Sequence, residues 1–160
     1  MDRTFVTGSA SETERAGALL SACLQPGDVV ALAGGLGAGK THLVQGVARG
    51  LGVEDVVTSP TFNILLVHPG PLPLYHLDLY RLEREDQLDD IGFYETLEAA
   101  GVSFIEWGDR FPEALPADHL LVVIERSGET ERAFTLRPGG SRASVLAQDW
   151  ITAMAAEVSG

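Results

Sequence analysis

The sequence predicts one α/β domain across residues 1–160, with a mostly parallel central sheet, antiparallel hairpin strands and helices on both faces. Three observations point there. Residues 28–33, Asp-Val-Val-Ala-Leu-Ala, form an apolar run of the kind that sits in a strand buried on both sides. A glycine-rich turn then leads into Leu43, Val44, Val47 and Leu51, an apolar stripe of helical period that stops at Gly50 and Gly52. Further on, residues 74–81 alternate with period two, and residues 119–125 and 132–137 pair across a turn containing Ser127 and Gly128. A chain of 160 residues is of one-domain size and can bury a proper core.

Taken in order, residues 3–7 read as a first strand. Ser11 and Glu14 have the spacing of a capping box, opening a helix whose apolar face is Ala16, Leu19, Leu20, Cys23 and Leu24 and which ends near Pro26-Gly27. After the strand, glycine turn and helix already described, residues 56–67 are expected to hold a strand, and the proline-rich connector 68–73 turns it back as a hairpin. In the returning strand Leu74, His76, Asp78 and Tyr80 share one side, and Tyr75, Leu77, Leu79 and Arg81 the other. Residues 83–98 are expected to form one helical segment with seven acidic side chains against a single basic one, Arg84. Residues 102–107 are another buried-strand run, ending in Glu106 and Trp107. From Gly139 onward a last helix places Leu146, Trp150 and Met154 on one face as core contacts.

Composition narrows the function. No apolar run reaches membrane length, and Asp2 and Arg3 lead straight into a strand instead of a signal pattern, so a cytoplasmic protein without membrane contact is expected. The lone Cys23 excludes an internal disulfide and a cysteine metal site, and its place on an apolar helix face makes it a small core residue. The net charge of −12, with 11 basic against 23 acidic residues and no basic run, disfavours direct gripping of a nucleic-acid backbone.

The glycine turn carries the chemistry. Gly34-Gly-Leu-Gly-Ala-Gly-Lys40-Thr41 fits G-x-x-x-x-G-K-[ST], the phosphate-wrapping P-loop. Gly34, Gly37 and Gly39 permit positive φ, so the amides of Leu36, Gly37, Ala38, Gly39, Lys40 and Thr41 can turn inward on an anion. Strand, loop and helix in that order aim a helix N-terminus at phosphate. Lys40 is then the charge on the β- and γ-phosphates of ATP, and the Thr41 hydroxyl a ligand of Mg²⁺.

Such a loop needs an acid at the end of a neighbouring strand to hold the metal and orient the attacking water. Glu106, where an apolar strand ends, is the first candidate, for catalysis and as a Mg²⁺ ligand; Asp78 is the second. Residues 58–61, Thr-Ser-Pro-Thr, offer hydroxyls to the γ-phosphate side, although a plain β-turn accounts for them as well. The four histidines show no metal-ligand spacing; His76 merely shares a strand face with Asp78. On the residues alone a small-molecule kinase and a nucleotide-dependent binding module stay open beside an ATPase. Against the kinase stands the absence of an arginine cluster for a closing lid.

Four motifs occur in a fixed order: Leu36-Gly-Ala-Gly-Lys-Thr41, Ser59-Pro-Thr-Phe62, Tyr75-His-Leu-Asp-Leu-Tyr-Arg-Leu82 and Phe104-Ile-Glu-Trp107. Together with Thr13 and Gly17 they resemble the TsaE (YjeE-type) family of bacterial tRNA threonylcarbamoyladenosine biosynthesis. The resemblance implies a small P-loop fold with weak intrinsic ATP hydrolysis. It implies work beside two other proteins of the threonylcarbamoyl-transfer machinery, which modify adenosine 37 of tRNA. It makes Lys40 and Thr41 the phosphate and Mg²⁺ residues, Glu106 the Walker-B-like acid, and Asp78 and Trp107 functional members of their motifs. Gly35 stands where the family usually has an acid.

Overall fold

The structure, a computed structural model, describes residues 3–35, 37–53 and 64–159. The expected hydroxyls of residues 58–61, most of the expected strand at 56–67, and Leu36 lie outside these. Among the described residues seven strands form one sheet: β1 Arg3–Thr7, β2 Val29–Ala33, β3 Leu65–His68, β4 Leu74–Asp78, β5 Val102–Glu106, β6 Leu120–Arg126 and β7 Arg132–Pro138. The order across it is β1-β7-β6-β2-β5-β4-β3. β6, β2, β5 and β4 run parallel in the middle; β7 joins β6 and β3 joins β4 antiparallel, as the hairpin readings require, and β1 adds antiparallel to β7 at the edge.

Burial explains why β2 carries no polar alternation: all five of its residues are buried. Val30 and Leu32 enter a core shared with α1 Ala10–Ser21, α2 Lys40–Gly50 and α5 Ser141–Ser159. Val29 enters the opposite core, with Leu77, Ile105, Leu88 and Phe93, beneath α3 Gln87–Asp90 and α4 Phe93–Glu98. A strand covered on both faces has no solvent side to pattern.

Two glycines set how closely the first two helices cross. A Cβ on Gly46 would lie 1.9 Å from the Glu14 carbonyl oxygen, and one on Gly17 2.3 Å from that of Leu43. Alanine at either position would push α1 and α2 apart and open the core between them. On the far side of α1, Trp150 of α5 is fully buried and donates from Nε1 to the Ala16 carbonyl at 2.9 Å, with Phe5 edge-on at 5.1 Å. Truncating such an indole costs about 3–5 kcal/mol. Leu146 joins Trp150 in that core and Met154 packs against it, as their spacing predicts.

Three local expectations need correction. The capping box lies two residues earlier: Ser9 Oγ accepts from the Glu12 amide at 3.1 Å, and Glu12 accepts from the Gly8 amide. Ser9 has the extended φ of −159° that a cap requires, whereas Ser11 is already helical. The acidic stretch 83–98 begins with four non-helical residues and then forms two short helices, separated at Gly92 in the left-handed region at φ 71°. β4 ends at Asp78; Leu79 and Leu82 turn inward to the second core, leaving Tyr80 exposed.

Candidate functional site

The glycines of the turn adopt the positive φ that the motif demands, at 138° for Gly34, 75° for Gly37 and 110° for Gly39. Gly34 has φ 138°, and a Cβ there would meet the Ile124 carbonyl oxygen at 2.2 Å, so only glycine lets the loop pass β6. Gly39, at φ 110°, is the N-cap of α2, so Lys40 and Thr41 form its first turn and their amides are free of helical acceptors. That end of α2 borders a cleft of about 520 Å³. Gly37, Ala38, Gly39, Lys40 and Thr41 line one wall of it, and Asp78, Tyr80, Glu106 and Trp107 another.

Lys40 is buried and its ammonium curls back over its own loop, donating to the carbonyls of Gly34 at 2.6 Å and Gly35 at 3.1 Å. It also lies 3.9 Å from the centroid of the Trp107 ring, in cation–π geometry. Burial pushes its pKa below the ordinary 10.5, and the charges of Glu106, Asp78 and Asp109 pull the other way without cancelling that effect. Trp107 itself has φ 60°, a left-handed conformation costly for an aromatic residue, and its ring packs at a tilt against Tyr80, centroids 4.9 Å apart. The strain sits one residue past the strand end, where the chain must turn the indole onto the lysine.

Thr41 and Glu106 meet although 65 residues apart: the threonine Oγ1 lies 3.4 Å from both carboxylate oxygens. That is longer than a normal O–H···O bond, so the two groups face each other without saturating each other. Glu106 is 3% exposed. Asp78 is its register partner on β4 and so shares its side of the sheet; it is half-buried, and its Oδ1 accepts from the Tyr80 amide at 3.0 Å. A hydroxyl and carboxylate oxygens are the hard donors that suit Mg²⁺, so the residues present fit that ion. The sequence-expected Lys40, Thr41, Glu106 and Asp78 are thus brought to one cleft.

Two further residues were not singled out by the sequence. His76 is fully buried with Nε2 2.5 Å from Glu106 Oε2. Its place two residues before Asp78 on the same strand face was the available signal; the neighbour across the sheet was not. Arg132, the first residue of β7, lines the cleft and donates to the Gly37 carbonyl at 3.4 Å. It reaches the loop because β6 lies beside β2, which nothing local in the sequence announces. Ser9 and Thr13 of α1 close the same side. Cys23, by contrast, is half-buried with its thiol directed at the Leu19 carbonyl, and burial raises its pKa, the opposite of the lowering that activates a cysteine nucleophile.

The model of the family "Threonylcarbamoyl adenosine biosynthesis protein TsaE" matches residues 7–134, which include every one of these cleft residues. The tRNA threonylcarbamoyladenosine biosynthesis protein TsaE of Bacillus subtilis is 42% identical over 144 residues, covering 89% of this chain and 90% of its own. The protein of that name from Treponema pallidum is 41% identical over 131 residues, 82% and 97% of the two chains. The crystal structure of Bacillus subtilis YdiB superposes with a TM-score of 0.79 at 35% identity, covering 95% of each chain. With a P-loop, a facing strand-end glutamate and this likeness over nearly its whole length, the chain belongs to the TsaE family.

Proposed function

We propose that this protein binds ATP with Mg²⁺ in the cleft between its P-loop and the ends of β4 and β5. It hydrolyses the nucleotide slowly alone and faster with partners, in the cytoplasm, as one part of the machinery that puts a threonylcarbamoyl group on a tRNA adenosine. The observation that carries this reading is the meeting of Lys40 and Thr41 with Glu106 in one cleft. The names of its relatives supply the pathway.

Each residue has a task in this reading. The amides of residues 36–41 hold phosphate oxygens, and Lys40 leaves the Gly34 and Gly35 carbonyls to add its charge between the β- and γ-phosphates. Thr41 and Glu106 would hold Mg²⁺, with Asp78 as a second acid in the same cleft. The ion, when bound, neutralises charge on the phosphate oxygens. Glu106 orients water by accepting from it, and Asp78 lies in the same cleft to do so from β4. Arg132 reaches toward the loop from the opposite wall and contributes positive charge there. A small-molecule kinase loses ground to this reading through the family membership.

The partners are proteins, two of them. A net charge of −12 opposes tRNA phosphate, so a partner must hold the tRNA. Glu85, Asp86 and Asp89 are exposed just beyond Asp78 and Tyr80, on a segment where a basic partner surface could dock and reposition those two residues. ATP binding and partner binding are then linked in both directions.

The test is phosphate release by the isolated protein and by its mixture with the two partner proteins. Stimulation by the partners is expected, together with tRNA binding by the isolated chain too weak to detect at physiological salt. Full activity alone combined with tight tRNA binding would overturn the proposal. Reversing the charges of Glu85, Asp86 and Asp89 is expected to weaken association while sparing isolated ATP binding.

A further inference from the structure

Among the described residues, only Glu106 accounts for an imidazole at His76. It lies on β4, paired in register with Phe104, so its side chain belongs to the sheet face that packs against α2. The side chain has no solvent exposure. On the same face, Leu74 before it and Phe104 beside it are apolar core residues. Among the described residues, Nδ1 of His76 has no hydrogen-bond partner, while Nε2 lies 2.5 Å from Glu106 Oε2. A carboxylate offers only lone pairs, so Nε2 is the donor in that contact. Burying a polar ring for a single bond is unfavourable unless that bond serves something.

We propose that His76 is a positioning residue for Glu106. By donating from Nε2 it fixes Oε2 and the torsion of the carboxyl group, leaving Oε1 and the remaining lone pairs facing the Thr41 hydroxyl across the 3.4 Å gap. Thr41 sits on α2 and cannot hold the carboxylate alone at that distance. A glutamate with three free torsions would otherwise sample other rotamers each time a nucleotide arrived. Groups that hold a ligating side chain from behind change metal affinity or activity about 10–100-fold when lost. This rests on the reading of Glu106 as the acid of an ATP–Mg²⁺ site.

The experiment compares the parent protein with His76→Leu, His76→Gln and His76→Asn. Two readouts are needed: Mn²⁺ affinity of the ADP-bound protein by electron paramagnetic resonance, and single-turnover ATP hydrolysis beside the ATP dissociation constant. His76→Leu is expected to weaken Mn²⁺ binding and slow hydrolysis by about 10–100-fold, with metal-free nucleotide affinity unchanged. The Gln amide nitrogen can occupy the place of Nε2 and is expected to restore most of both; the Asn nitrogen corresponds to Nδ1 and is not. In a Glu106→Gln background His76→Leu should add no further loss, because the residue acts through that carboxylate.

Parent-like Mn²⁺ binding and hydrolysis in His76→Leu would overturn the proposal, as would the same loss in the Glu106→Gln background. If circular dichroism shows His76→Leu unfolded, the Gln and Asn variants decide: Gln active and Asn impaired supports the proposal, and equal behaviour overturns it. Failure of the parent itself to bind Mg-ATP would remove the reading of the site, and this proposal with it. A parent that binds beside an unaffected His76→Leu removes the positioning role alone.

Discussion

At the amino end of β2, Asp28 is buried and takes two parallel hydrogen bonds from Arg142, Nε to Oδ1 at 2.9 Å and Nη2 to Oδ2 at 2.8 Å. The Gln25 amide gives the same carboxylate a third bond, and Arg142 Nη2 also donates to the Cys23 carbonyl. Asp118 caps α5 beside them by accepting from the amides of Arg142 and Ala143. The bond to Asp28 raises the Arg142 pKa above its ordinary value. At the carboxyl end of the same strand Lys40 is equally buried, yet it donates to neutral carbonyls, lies against a strained Trp107 and has its pKa lowered. One end completes its charges and ties α5 to the sheet. The other keeps a cation and two carboxylates in one cleft, without pairing them off. A cleft built to receive charge is less stable empty than a finished ion pair.

The comparison can be broken at either end. The largest effect is expected from Glu106→Gln, which preserves shape and removes the charge proposed above to orient metal and water. Phosphate release should fall by about 10²–10⁴-fold while calorimetry finds ATP binding retained. Unchanged turnover would transfer the acid's task to Asp78.

Next in size is Arg142→Met, which leaves Asp28 buried without its partner. About 3 kcal/mol of stability should be lost in denaturant unfolding, with no change in ATP affinity. Loss of ATP binding without loss of stability would mean that the two ends are not independent.

Lys40→Ala should weaken Mg-ATP binding at least tenfold, about 1.4 kcal/mol, by calorimetry. Lys40→Met, which keeps the apolar stem, should in addition melt higher than the parent at pH 7. The sign follows from the lowered pKa: the folded state disfavours the charged amine relative to the unfolded chain. The difference should close as pH rises through the folded pKa toward 10.5, where the parent's amine is released. Equal affinity in Lys40→Ala would sink the nucleotide site.

The smallest effect tests a surface pair for contrast. Arg15 and Glu157 tie α1 to α5 at 2.8 Å, both well exposed. The bond to Arg15 lowers the Glu157 pKa below 4.5. The pair therefore contributes above pH 4.5 and ceases to contribute as pH falls through the lowered value. Glu157→Gln should melt marginally lower than the parent at pH 7 and with it in acid.

By itself the sequence determined most of what repeats within a few residues. The apolar run of β2, the glycines of the loop, the stripe of α2 and the apolar residues before Glu106 are local patterns, and local patterns set strand, turn and helix. The motif fixed which atoms could face phosphate, because Gly34 and Gly39 need φ values that other residues avoid. The cap at Ser9 was missed because Ser11 with Glu14 has the same spacing, and only the extended backbone of Ser9 separates them. The break at Gly92 was hidden within an acidic stretch that has no capping signal. Tertiary structure decided the rest. Setting β4 beside β5 in one register brings His76 to Glu106, and setting β6 beside β2 brings Arg132 to Gly37. The helix crossing at Gly17 and Gly46 and the pairing of Asp28 with Arg142 are of the same kind. Strand order and register follow from which packing buries both faces of the whole sheet, a property of the complete chain that no short window contains.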